Sequence, residues 1–180
     1  MTRGIIFRPD MAQAIAEGRK TQTRRVVKLW PDDNGPFTVT GSYLQSGRGG
    51  YRPAHNPSDY LYVREAHALF DTLPSGPDRS TVAVIYRGKN PTGASRWRPS
   101  IHMPRWAART YLQIDDVRVE RIQEISEEDA RAEGSPPAPI PGLPPHVGGF
   151  SVLWGSIHGG RAWERNDWVW VYRFHRVEKP

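Results

Sequence analysis

The segment closing the chain sets the strongest constraint on the fold. Trp168-Val-Trp-Val-Tyr-Arg-Phe-His-Arg-Val177 alternates with a period of two, placing Trp168, Trp170, Tyr172 and Phe174 on one face and Val169 and Val171 on the other. Both faces of its first half are apolar, which predicts a strand that is central there. A second long alternation, Thr110–Ile122, keeps Leu112 and Ile114 in one phase and Val117 and Val119 in the other. The slip between them, at Asp115-Asp116, predicts a bulge or bend. Shorter strands are predicted at Gly4–Phe7, at Asp59–Glu65 with Leu61 and Val63 on one face, and at Thr81–Tyr86, the last apolar enough for a core.

Helices fall between these strands. Asp10–Glu17 carries Met11, Ala14 and Ile15 at helical spacing and stops at Gly18, a C-terminal cap. Ser126–Glu133 opens on Ser126 as N-cap with Asp129 three residues on, and stops at Gly134. Phe150–Ile157 reads as a third helix, with Val152, Leu153, Trp154 and Ile157 toward the core. Residues 29–58 show no sustained period and read as a loop insertion. Residues 135–149, with six prolines and three glycines, read as a second, stiff one. There are no internal repeats, and a chain of 180 residues is about one domain in size. Strands interleaved with a few short helices predict a single α+β domain or small barrel over 1–180.

Composition narrows the chemistry. The absence of cysteine excludes disulfides, thiolate zinc sites and a cysteine nucleophile. The six histidines never stand three or four apart, so no helical metal-ligand pair is expected. No long apolar run and no secretory layout occurs at the start, which predicts a cytoplasmic protein with no membrane partner. Formal net charge is +6, and arginine far outnumbers lysine, which suits phosphate-bearing partners. The charge is also segregated. Residues 1–28 carry seven basic groups against Asp10 and Glu17, whereas residues 115–133 carry eight acidic groups against Arg118, Arg121 and Arg131. Two solvated faces of opposite sign are the plainest account of that pattern.

Gly18-Arg19-Lys20-Thr21-Gln22-Thr23-Arg24-Arg25 holds four cations and two threonine hydroxyls in eight positions, and is the strongest candidate for function. A turn at Arg19-Lys20 would let Lys20 reach the hydroxyls, where a lysine with a lowered pKa serves as base to a threonine. The alternative is that Arg19, Lys20, Thr21, Arg24 and Arg25 simply hold phosphate. Arg64-Glu65, at a strand end, supplies a second carboxylate or a structural pair. Trp97, Trp106 and Trp163 lie in polar loop sequence, so beside Arg98 or Arg105 they offer either platforms for a base or lid packing. His102 and Arg105 bracket Met103-Pro104 and either contact phosphate or hold the loop.

Gly18-Arg19-Lys20-Thr21-x-Thr23-x-Arg25 after a short helix resembles the signature of ASCH-domain proteins, as does Ile125-Ser126-Glu127-Glu128-Asp129-Ala130-x-Ala132-Glu133-Gly134. Trp97-Arg98-Pro99-Ser100-Ile101-His102-Met103-Pro104-Arg105-Trp106 is similar to the form in phage and prophage members. So are Val63-Arg64-Glu65 and the tryptophan-rich last strand. The resemblance implies a PUA-like mixed β-barrel with a few short helices around it, a cleft beside the Gly-Arg-Lys-Thr turn, and an RNA-linked role. Among the small bacterial members is an N4-acetylcytidine amidohydrolase, which uses a lysine, a threonine and a glutamate. Position by position these fall on Lys20, Thr23 and Glu133. This chain is much longer than that compact enzyme, so its substrate can differ while the chemistry is kept.

Three functions follow as expectations. The first is an amidohydrolase acting on an acylated nucleobase or nucleoside, free or in RNA, with no metal or cofactor. The second is a non-catalytic RNA- or DNA-binding module with a positive stripe from Arg19 to Arg25. The third is a metal-aided ribonuclease using Asp115 and Asp116. Oligomeric state is not encoded in any of these features.

Overall fold

A computed structural model of the chain describes residues 2–28, 41–47, 51–71, 82–86 and 97–180. The elements in chain order are β1 (Arg3–Ile6), α1 (Pro9–Ala16), β2 (Gln22–Val26), α2 (Gly41–Gln45), β3 (Tyr60–Arg64), β4 (His67–Asp71) and β5 (Val82–Tyr86). After them come β6 (Tyr111–Arg121), α3 (Glu127–Ala132), α4 (Pro145–His158) and β7 (Trp168–Val177). Together they form an α+β architecture: a five-stranded mixed sheet, a separate two-stranded ribbon and a few short helices. Among the described residues no helix is long and apolar enough to cross a membrane.

The large sheet runs β1-β3-β6-β7-β2, with β1 and β3 parallel and the other pairs antiparallel. β7 is central, as its two apolar faces require. Val169–Arg173 pairs with β6 on one side and β2 on the other, and only β6 continues beside the polar last residues. Trp170, Tyr172 and Phe174 enter a core with Ile5, Leu61, Val63, Leu112, Ile114 and the α1 residues Met11, Ala12 and Ile15. Val169 and Val171 enter a second core on the opposite face, with Ile122, Ala130, Phe150 and Trp154. Burying one such aliphatic or aromatic side chain contributes roughly 1.5–3 kcal/mol, so the alternation of β7 alone commits the chain to two packed layers. The phase slip in β6 is a register shift between Ile114 and Asp116. There Ile114 pairs with Phe174 and Asp116 with Arg173, leaving Asp115 unpaired in the ladder.

β1 and β2 end the sheet, and each has one unpaired edge. Residues of both strands, with Trp170 and Tyr172 of β7, border a common cavity. The Arg25 guanidinium spans the gap and donates to the Ile6 carbonyl at 2.8 Å. The sheet therefore curls toward closure with a seam between its edges.

The strand expected at Thr81–Tyr86 forms as β5, and two other expectations need correction. Among the described residues β5 pairs with β4 in the separate ribbon and not with the large sheet, although it is the most apolar of the short strands. Within 29–58, Gly41–Gln45 is helical and Leu44 and Tyr51 are buried in the main core, while residues 29–40 and 48–50 lie outside the described residues. The helix expected from Phe150 begins at Pro145, and Val152 and Ile157 are 55% and 47% exposed, so they do not face the core.

That earlier start has a steric cause. Gly148 and Gly149 look like loop residues, yet they let the first turns of α4 lie directly on the preceding strap. A Cβ on Gly149 would stand 1.7 Å from the Pro136 carbonyl oxygen, and one on Gly148 would stand 2.5 Å from that of Ala138. The Glu127 carboxylate accepts from the His146 and Val147 N–H groups at 3.0 and 3.1 Å, satisfying two of the helix's open donors. Gly149→Ala is expected to destabilise the protein by about 1–3 kcal/mol through overpacking. Urea denaturation checks this, and an unchanged midpoint would show that the strap moves freely.

Candidate active site

Lys20 owes its position to the way α1 ends. Gly18 takes φ +77°, and the N–H groups of Arg19 and Lys20 both donate to the Ala14 carbonyl, at 2.9 and 3.1 Å. The chain then turns into β2. The Thr21 N–H donates to the Ala132 carbonyl at 2.8 Å, and the Thr21 carbonyl accepts from the Phe174 N–H at 2.9 Å. This ties the start of β2 to the end of α3 and to β7 while the Thr21 side chain stays exposed.

The end of α3 meets Lys20 from the other side. The Ser126 hydroxyl caps the helix by accepting from the Asp129 N–H at 3.0 Å, and Gly134 ends it at φ +78°. A Cβ on Gly134 would stand 3.1 Å from the Lys20 Cβ, so glycine is what lets the two turns close together. The Lys20 ammonium donates to the Glu133 carboxylate at 2.5 Å and to the Glu133 carbonyl at 2.9 Å. Lys20 is 3% exposed, and burial holds its pKa below the ordinary lysine value, opposed by Glu133 and assisted by Arg25 and Arg24.

Arg24 organises the carboxylates behind this pair. Its side chain is fully buried and donates to Glu120 at 2.6 and 3.0 Å, to Asp129 at 3.0 Å and to Glu133 at 3.0 Å. Arg118 bonds Glu120 at 3.1 Å and Asp129 at 2.5 Å from outside, and the Gln22 amide donates to Asp129 at 2.7 Å. Three cations, Lys20, Arg24 and Arg118, thus balance three carboxylates, Glu120, Asp129 and Glu133. The basic and acidic stretches of the sequence are therefore not only two solvated faces: part of each is turned inward against the other.

Lys20, Thr23 and Glu133 line one cavity of about 190 Å³, and all three are buried. Phe7, Met11, Phe150, Leu153 and Trp154 supply apolar walls, and Arg8, Arg25 and His158 lie at the same cavity. Trp154 and His158, one turn apart on α4, stack with ring centroids 4.1 Å apart. The buried Trp154 indole N–H has no hydrogen-bond partner among the described residues, which costs the fold roughly 1–3 kcal/mol. Sequence reasoning misses the α4 wall. Its signal is the helical spacing of Phe150, Trp154, Ile157 and His158, of which Trp154 and Ile157, with Leu153, read as core residues.

Other candidate residues lie elsewhere. Arg19 is exposed and paired with Glu17. Glu65 is buried and held by Arg109 at 2.8 and 3.0 Å, and the Arg64 side chain donates to the Ile101 carbonyl. Trp97, Arg98, His102, Arg105 and Trp106 are exposed around short turns and do not line the Lys20 cavity. Trp163 is half-buried against the second core, edge-on to Phe150, and so packs instead of offering a platform. Asp115, at the β6 bulge, bonds His175 at 2.6 Å, and the described residues contain no group of three side chains able to hold a metal ion.

No family model matches the sequence, and no curated protein matches it. Solved structures similar to it include a DUF984-family protein of Enterococcus faecalis V583, 11% identical with a TM-score of 0.44 over 93% of this chain and 66% of that one. This chain thus spans just under two thirds of that protein's length. Another is an ASCH domain of Lactobacillus crispatus JV V101, 12% identical with a TM-score of 0.42 over 97% of this chain and 79% of that one.

Proposed function

We propose that this chain is an ASCH-type, PUA-like domain that hydrolyses an N-acyl amide on a nucleobase or nucleoside, with N4-acetylcytidine as the substrate to try first. One observation carries the reading: Lys20 and Glu133, 113 positions apart, bond each other at a buried cavity that Thr23 also lines. Such a trio is what acyl transfer through a hydroxyl needs, namely a nucleophile, a base with a lowered pKa and a carboxylate beside it.

The chemistry balances with these groups alone. Free Lys20 amine takes the Thr23 hydroxyl proton as the oxygen attacks the acyl carbon. The proton then passes, through Glu133, to the exocyclic nitrogen as the C–N bond breaks, leaving an acyl-threonine and the free base. Water attacks that ester, Lys20 takes its proton, and acetate leaves with Thr23 restored.

A non-catalytic nucleic-acid reader would want a free stripe from Arg19 to Arg25. Arg19 is tied to Glu17 and Arg24 is buried among carboxylates, which favours the enzymatic reading. The test is acetate release from N4-acetylcytidine by the purified protein. Turnover is expected, lowered about 100-fold in Glu133→Gln, within the range of general acid–base contributions. A variant as active as the parent would remove Glu133 from the mechanism, and no release by the parent would return the chain to the binding reading.

A further inference from the structure

The cavity around Lys20 is small for a whole ligand. At about 190 Å³ it falls below the roughly 300–1,000 Å³ of pockets that enclose drug-sized molecules, so it suits one end of a substrate. The remainder has to lie beside that cavity. Ile6 and Arg25 line it and also line the seam cavity, of about 470 Å³, between the edges of β1 and β2. Arg25 stands between the two, its guanidinium 5.3 Å from the Phe7 ring centroid and bonded to the Ile6 carbonyl.

The seam differs from the Lys20 cavity in its charges. Its titratable lining is Arg25, Lys28, Arg52 and His55 with the phenols of Tyr51 and Tyr172, and no carboxylate is among the lining residues described. Lys28 and Arg52 are exposed and sit in no ion pair found among the described residues, unlike Arg24. Asp59, whose charge reaches His55, already accepts from the Asn56 N–H at 2.8 Å. The His55 ring packs edge-on against Tyr172 at 5.6 Å, and its buried Nδ1 has no partner among the described residues. The Tyr172 hydroxyl is occupied, accepting from the Ala54 N–H at 3.0 Å. A groove carrying an excess of cations beside an apolar floor, adjoining the smaller cavity at Ile6 and Arg25, matches a group that is anionic at one end and a base at the other.

We propose that the seam between β1 and β2 seats a phosphate of the substrate, so that the site takes a phosphorylated nucleoside in preference to a free one. This rests on the reading of the Lys20 cavity as the seat of the base. The phosphate comes either from a mononucleotide or from an RNA backbone, and chain length in the test separates the two.

The test measures binding and turnover side by side. Isothermal titration with cytidine, cytidine 5′-monophosphate and a short oligoribonucleotide is run on the parent, Lys28→Glu and Arg52→Glu. Acetate release from the N4-acetyl form of each is followed in parallel. The expected result is a preference of about tenfold or more for the monophosphate over cytidine, falling with salt and shrinking in both variants. Further tightening by the oligoribonucleotide assigns the phosphate to RNA, and none assigns it to a mononucleotide. Equal affinity for cytidine and its monophosphate, binding of neither, or an unaltered preference in both variants overturns the seam proposal, even where acetate is released. A clear preference without acetate release keeps the phosphate seat and defeats the hydrolase reading instead.

Discussion

Lys20→Met is expected to lower acetate release from N4-acetylcytidine by roughly 10²–10⁴-fold while the protein stays folded. Methionine matches the length of the buried stem but cannot accept the Thr23 proton. Glu133 is not left unpaired by the change, because Arg24 bonds its other oxygen at 3.0 Å. Two pH measurements separate a base from a mere filler. In the parent, only the free amine is active, so kcat/KM falls as pH drops through the Lys20 pKa, which burial holds below the ordinary lysine value. The stability linkage has the same origin. With the folded pKa below the unfolded one, the unfolded chain binds more protons between the two values. The contribution is therefore complete above the unfolded lysine pKa and is lost as pH falls through the folded one. Lys20→Met should remove that slope along with the activity. A variant with full turnover, or one with the parent's pH-dependent stability, would take Lys20 out of the base role.

What the sequence made legible and what it hid follow from the range of the forces involved. The central place of β7, the bulge at Asp115 and the cap of α3 by Ser126 depend on alternation and local hydrogen bonds within one segment. Lys20 beside a threonine was legible in its own segment, but Glu133 entered only through family resemblance, since nothing local in either segment says that positions 113 apart will meet. Arg24 was harder still. It lies in a stretch rich in cations, which suggests a phosphate contact, yet its partners are carboxylates 96, 105 and 109 positions away. The strand at β5 was legible from its apolar run, but its pairing with β4 in a separate ribbon was not, because such a run reports burial potential and not which sheet will accept the strand. The α4 residues at the cavity were misjudged because a helix that closes a site and one that fills a core share one spacing.

Arg24→Met is expected to destabilise the protein by about 3–5 kcal/mol, the cost typical of removing one partner from a buried ionic cluster. The comparison with Lys20 shows why this is the more damaging change. Among the described residues Lys20 pairs with one carboxylate, Glu133, whereas Arg24 pairs with Glu120, Asp129 and Glu133, so its removal leaves Lys20 and Arg118 against three carboxylates. For a chain of this size the midpoint of thermal unfolding should fall by on the order of 10 °C. Adding Glu120→Gln should recover part of the loss, since it removes the charge that Arg24 holds with two of its nitrogens. A second readout connects this cluster to the chemistry. The Arg24 charge helps hold the Lys20 pKa down, so in whatever fraction of Arg24→Met stays folded the acid limb of kcat/KM should move to higher pH. A midpoint within a degree or two of the parent would show Arg24 to be loosely held and available to a ligand. A large loss of stability with the limb unmoved would confine it to a structural role and leave burial and Arg25 to hold the Lys20 pKa down against Glu133.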